Sequence, residues 1–412
     1  MAKPKKHIPP HYAKEVTFPM IDLTPYQTDH LLLLIGTNPL PNYVAALLLA
    51  KSNSTIHLLH TPGPEGTGKF AERLDALICS KLPDVRLVHH QTDECRGNRI
   101  SEQVKELCHS VPKNASLGFH YTGGTKAMVL HSYRGIISSG FPNVRLSYLD
   151  ARSLSLVVET DSTPLFFNAS KAVNITIEEM LALHGYTANP PAMSPQIDPE
   201  LYHVLAKTNY DRNSNGDWRK WLEETQCSVL PDAAQYPSLL EVRTVFDRIC
   251  GGQATPELLA RHLGCKNAQL ASCAKWLKGE WLDHYVFWAL NEVASDAGAG
   301  KVCLELKPRP HEFEIDVATV KGYQLFAVSC IVSNKKEKCK EHLLEVYVRA
   351  CQIGGDEARV GLVSFYHDPA ALRKEIDEAW FSEGRIKVFD PQDLLDPERF
   401  KESLKQWLIS AA

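Results

Sequence analysis

The 412-residue sequence predicts an α/β protein with two such domains in tandem. Three patterns lead there. Short apolar runs alternate with helical stretches from about residue 30 to residue 139, as parallel strands covered on both faces require. The chain then turns rich in Pro, Asn and Gly around 185–240, in "GYTANPPAMSPQIDPE" and "YDRNSNGDW", which reads as linker with helices between. From about 261 the alternation resumes. The expected divisions are a flexible tail over 1–26, a first domain over 27–185, a linker and helical segment over 186–260, and a second α/β domain over 261–412.

In the first domain "HLLLLIGTNPL" (30–40) is a buried strand closed by Gly36, Asn38 and Pro39. "NYVAALLLAK" (42–51) has helical composition, and "TIHLLHT" (55–61) is a second strand. A helix at "KFAERLDALICSKL", a strand at "VRLVHHQ" and a helix at "ISEQVKELCHSV" follow. The strand "SLGFHY" then runs through "TGGTK" into a helix, and "NVRLSYLD" with "SLSLVVET" forms a closing hairpin. In the second domain a long helical stretch over 267–294 is interrupted at Gly279. "VCLEL", "FEIDVATV" and "YQLFAVSCIV" are strands, the last two a hairpin turning at Lys321 and Gly322. A helix from "KKEKCKEH", the strand "RVGLVSF" and a helical end complete the chain.

Composition narrows the function. Hydrophobic content is 44% and charged content 23%, ordinary for a globular protein, and the net charge of −4 supplies no overall field for nucleic acid or anionic lipid. No run of about 20 apolar residues reads as a membrane span. The basic N-terminus lacks the apolar segment of a signal peptide, and the eleven cysteines show no C-x-x-C pair, so a cytoplasmic protein with reduced thiols is expected. Seventeen histidines form no zinc-binding box.

Two glycine-rich turns invite an anion. "GPEGTGKF" (63–70) satisfies G-x-x-x-x-G-K, but Phe70 replaces the magnesium-holding Ser or Thr and Pro64 removes an amide donor, so a nucleotide triphosphate site is rejected. "YTGGTKAM" (121–128) sits where a strand enters a helix. Gly123 and Gly124 admit close backbone approach, Thr125 offers a hydroxyl and Lys126 a charge. A tight turn with an exposed lysine accounts for the same residues.

"GTNPLPNYVAALLL" followed by "HYTGGTKAM" resembles the CARF domain of CRISPR-associated proteins, a Rossmann-like sensor of cyclic oligoadenylate. That resemblance implies a ligand-binding set of Gly36, Thr37, Asn38, Pro39 and Leu40 in one loop and Thr122, Gly123, Gly124, Thr125, Lys126 and Met128 in the other. It also implies a homodimer that holds the ligand, expected as cyclic tetra-adenylate, across its two copies. "TIEEMLALHG" (176–185) matches the family's exit from this domain, whereas His120 stands where asparagine is frequent.

The second domain resembles the restriction-endonuclease-like, PD-(D/E)xK module fused to such sensors, over "WLKGEWLDHYV", "FEIDVATVKGYQLFAVSCIV" and "ACQIGGDEARVGLVS". This implies a nuclease that needs Mg or Mn and acts on DNA or RNA in antiviral defence. Asp283, with Glu280 one turn away, and Glu314 and Asp316, on one side of a strand, would hold the metal. The Glu-x-Lys of the next strand is lost: Ser329 and Ile331 stand in its place. Lys335 is the expected substitute for the lysine, with Lys336, Glu337 and Glu341 as further candidates. A nuclease weakened by these losses and a binding protein that no longer cleaves are both compatible with them. Lys301, Lys307, Arg309, Lys335, Lys336, Lys338 and Lys340 could gather as a phosphate-contacting surface. Trp276, Trp281 and Trp288 are expected in the core.

Overall fold

The computed structural model describes residues 22–93, 95–188, 197–265, 268–310, 313–380 and 384–410. Most of the expected tail over 1–26 lies outside these residues; its last part forms a single 3-10 turn, Thr24–Tyr26.

The first sheet has seven strands: β1 (Thr28–Leu34), β2 (Ala50–His60), β3 (Arg86–Gln91), β4 (Leu117–His120), β5 (Val144–Asp150), β6 (Ser155–Val158) and β7 (Leu165–Asn168). Their spatial order is β3-β2-β1-β4-β5-β6-β7, with β1 to β5 parallel and the last two strands antiparallel. The unbroken leucines of β1 follow from its central position. Leu31 and Leu33 join one core cluster and Leu32 and Leu34 another, so both faces of the strand are buried and no polar alternation is possible. Strand β7 was not legible, because "LFFN" is too short to show a period.

The second sheet has the order β12-β11-β10-β9-β8, with β8 (Cys303–Leu306), β9 (Ile315–Lys321), β10 (Gln324–Ile331), β11 (Arg359–Ser364) and β12 (Ile386–Val388). The hairpin at Lys321 and Gly322 forms as expected, with Gly322 at φ 61°. β10 passes through the helix Lys336–Gly354 to the parallel β11. Three-residue β12 was not anticipated. The expected break at Gly279 is a π-helical turn, Trp276–Glu280, that leads without a gap into the helix Trp281–Ala294.

Residues 197–265 are mostly helical. "YDRNSNGDW" is linker-like by composition, yet most of it lies in the helix Arg212–Thr225. Asp211 caps that helix by accepting the Ser214 N–H at 2.8 Å, and Trp218 and Trp221 are buried. Leu201, Tyr202 and Phe246 of this segment share a core with Tyr285 and Leu290, and the Tyr202 and Tyr285 rings stack at 5.2 Å. Trp276 and Trp281 are buried in the same core. The two sheets also meet: the Ile175 N–H donates to Gly322 O at 2.9 Å, and one apolar cluster draws on both. No helix among the described residues is long and apolar enough to cross a membrane.

Two buried histidines make stability pH-dependent. His57 links His30 and His90 in a chain of ring nitrogens 3.1 and 3.0 Å apart, and His120 lies 3.2 Å from Ser147 Oγ. Burial pushes both His57 and His120 down to about 3. Below the ordinary histidine value the unfolded chain therefore binds more protons than the folded one. Each histidine withdraws up to about 1.4 kcal/mol per pH unit as pH falls from about 6.5 towards 3. Thermal melts are expected to fall across that range, and less steeply in a His57→Gln, His120→Asn double variant.

Candidate functional sites at the two sheet edges

β1 and β4 are neighbours, so the loops that leave their carboxyl ends lie side by side. Their approach is close enough to forbid side chains. A Cβ on Gly123 would fall 2.0 Å from Leu34 O and 2.7 Å from Asn42 Nδ2; one on Gly36 would fall 3.0 Å from Gly124 N. Gly124 has φ 74°. Asn42 fixes the arrangement by donating to Leu34 O at 2.9 Å. Thr125 caps the helix Lys126–Ser139 by accepting the Met128 N–H at 3.2 Å. A second helix, Leu40–Leu49, starts from the other loop, with the Leu40 N–H held by Asn38 Oδ1 at 3.1 Å.

Two positive helix ends, exposed Thr37, Thr125 and Lys126, and glycine backbone therefore share one edge, which is what an anion requires. Thr122 accepts the Leu149 N–H at 2.6 Å and so ties the edge to β5. Met128, Pro39 and Leu40 are buried, with Met128 Sδ beneath Gly124. His120 is buried within the sheet.

The second domain covers part of this edge. A Cβ on Gly355 would lie 2.3 Å from Asn38 Nδ2 and 2.7 Å from Glu357 Oε2, so the turn Gly355–Glu357 rests on the first loop. Glu357 is buried, and burial raises its carboxyl to about 7. Beside it a cavity of about 710 Å³ opens between the domains, lined by Asp150, Ala151, Arg152, Asp356, Arg359 and Arg385. The loop 63–70, by contrast, closes on itself: Thr61 and Thr67 exchange backbone-to-hydroxyl hydrogen bonds of 3.0 and 2.9 Å.

The second site lies where β9 and β10 leave their sheet beside the helix Trp281–Ala294. Ligand atoms of Asp283, Asp316 and Cys330 fall within 4.8 Å of one another. Asp316 Oδ2 accepts the Cys330 N–H at 2.7 Å and the Ser329 hydroxyl at 3.1 Å. Burial, then the charge of Asp316, holds the Asp283 carboxyl well above its ordinary range; burial raises Asp316 to about 6. Half-buried carboxylates crowded in this way form a fitting seat for a divalent cation, which would remove the mutual repulsion.

Glu314 sits apart from this group, half-exposed and 3.3 Å from Lys307, which also pairs with Glu305 at 2.8 Å. Lys336 and Lys340 both pair with Glu375. Exposed Lys335 and Lys338 instead line a cavity of about 470 Å³ with Arg219, Lys275, Lys278 and Ile331. Ser329 keeps its place beside Asp316, and its Oγ is 3.4 Å from His342 Nδ1. His342 was overlooked, although it follows Cys339 by three residues on the inward stripe that continues at Leu343 and Val346.

Two solved structures share this fold. Can2 from Sulfobacillus thermosulfidooxidans, in complex with cyclic tetra-adenylate, aligns with a TM-score of 0.66 at 17% identity, over 92% of this chain and 99% of its own. Protein VC1899 from Vibrio cholerae aligns with a TM-score of 0.66 at 18% identity, over 93% of this chain and 98% of its own. At such identities the likeness concerns the fold, and it extends over both α/β domains. No protein-family model matches the sequence, and no curated protein does.

The glycine contacts set a measurable contrast. Gly123→Ala is expected to destabilise the chain by about 1–3 kcal/mol through overpacking against Leu34 O. Gly216→Ala, in a helix with open space around it, is expected to stabilise by about 0.5–1 kcal/mol. Urea midpoints of the two variants check both signs.

Proposed function

We propose that this chain is a cyclic oligoadenylate-sensing, metal-dependent nuclease of antiviral, type III CRISPR defence, with cyclic tetra-adenylate as its activating ligand. The observation that carries this reading is the N-terminal edge. Two closely packed glycine-bearing loops and two helix ends meet there beside exposed Thr37, Thr125 and Lys126, and the second domain rests on the first of these loops through Asn38 and Gly355. A ligand seated there meets both domains, so it can favour one arrangement of them over another. Can2, with the same fold, was solved with cyclic tetra-adenylate.

The ligand is shared by two copies of the chain. Leu130, Tyr133 and Ile137 form an exposed apolar stripe along the helix that begins at Lys126, 56, 42 and 62% accessible. Covering that stripe with a second copy places two Lys126 edges together. The second domain cleaves DNA or RNA through a cation held by Asp283 and Asp316, with Glu314 and Lys307 at its rim. Phosphates pass along the cleft of Arg219, Lys275, Lys278, Lys335 and Lys338, a local basic surface on an acidic chain. Asp283 and Asp316 would hold the cation, which would supply Lewis-acid activation of a water at the phosphodiester. Ile331 cannot polarise that water; Lys335 is the substitute for the missing lysine, and His342 adjoins the centre through Ser329.

Calorimetric titration with cyclic tri-, tetra- and hexa-adenylate should show one ring bound per two chains. Lys126→Ala is expected to weaken it at least tenfold, since a hydrogen bond to a charged group contributes about 1.5–3 kcal/mol. Absence of binding by every ring would refute the sensor. Cleavage of DNA or RNA should require a divalent metal ion, rise with the bound ring and disappear in Asp316→Ala. Ring binding without any cleavage would leave a sensor that has lost its nuclease.

A further inference from the structure

We propose that Cys330 is a ligand of the metal held by Asp283 and Asp316, so that this centre takes a divalent ion of the zinc and cobalt class in preference to magnesium. The inference rests on Asp283 and Asp316 being a metal site, and it assigns that site a third donor of different chemistry.

The donor set is read from the packing. Among the described residues, Asp283, Asp316 and Cys330 are the group whose ligand atoms converge, within 4.8 Å of one another. Cys330 is 7% exposed and its sulfur lies within 4.8 Å of an Asp283 carboxylate oxygen. Its backbone N–H meanwhile donates to Asp316 at 2.7 Å. One residue thus orients the first carboxylate with its amide and sets a sulfur atom beside the second. Three acidic groups nearby are paired with lysines: Glu305 and Glu314 with Lys307, Glu280 with Lys275. His342 reaches the centre only through Ser329. Ser329 leaves no carboxylate where a Glu-x-Lys strand would supply one, so the sulfur of Cys330 is the ionisable donor that β10 brings to the two carboxylates.

Magnesium demands near-octahedral oxygen ligation and dehydrates reluctantly, whereas thiolate donors favour zinc-like ions. Zinc and cobalt accept four-coordinate mixed sets of sulfur and carboxylate, with a remaining position for water. Binding balances simply: the metal–sulfur bond replaces the sulfur–hydrogen bond, and the thiol proton leaves to solvent. Burial and both carboxylates push the Cys330 thiol well up. A cation at that point reverses the effect and deprotonates the sulfur. A buried cysteine kept only for volume would need neither carboxylate beside it.

The test is titration of the full chain with cobalt(II), read by the thiolate-to-cobalt charge-transfer absorption in the near ultraviolet. One cobalt per chain with that band is expected, displaced by zinc but not by a hundredfold excess of magnesium. Cys330→Ser should remove the band and lower cobalt affinity at least tenfold; Asp316→Asn should also remove it. If Cys330→Ser folds poorly, the zinc-over-magnesium preference and the charge-transfer band, both measured on the unaltered chain, decide the matter. Cobalt or manganese bound without the band, or a band that survives Cys330→Ser, overturns the thiolate ligand and leaves the carboxylate site standing. No divalent ion bound at all overturns both.

Discussion

Burial on both faces of the two sheets governs where this protein can do chemistry. A strand such as β1, with four consecutive leucines divided between two cores, has no side on which a polar group could meet solvent. Polar function is therefore displaced to the strand ends, where the backbone itself becomes the donor. The glycines follow from this: the loops after β1 and β4 belong to adjacent strands, and Gly123 must pass Leu34 O at a distance no Cβ tolerates.

The second centre obeys the same constraint with opposite sign. Asp283 and Asp316 sit at the margin of a buried sheet, half-shielded from water, where burial and the acidic groups around them raise the cost of charge and hydrogen bonds from Cys330 and Ser329 relieve it only in part at Asp316. A cation is the species that relieves such crowding. Lys336 and Lys340 turn to Glu375, while Lys335 and Lys338 line a cleft together with residues from the helical segment.

Local signals made much of this legible. Strands that are buried throughout show as apolar runs, and "TGGTK" shows as a strand-to-helix turn, because both depend on residues adjacent in sequence. The helix Arg212–Thr225 did not show: its Asn, Ser and Gly residues suit a loop, and only the buried Trp218 and Trp221 hold it helical. The acidic group was legible in part. Asp283 and Asp316 could be placed, but the separation of Glu314 and the approach of Cys330 depend on how β9, β10 and the helix Trp281–Ala294 come together in the fold, which no spacing rule encodes. Arg219 and Lys275 join Lys335 only through folding of distant segments.

The contact between Asn38 and Gly355 bears on how the chain can be rebuilt. A Cβ at Gly355 would strike Asn38, and that glycine also holds φ 65°. The first loop and the turn Gly355–Glu357 are therefore complementary shapes despite lying more than three hundred residues apart. Their boundary is not a neutral place to splice. A hybrid that joins this N-terminal domain to another protein's C-terminal domain would inherit one half of a fitted joint, and it would have to carry residues 355–357 across with that domain for the two halves to seat.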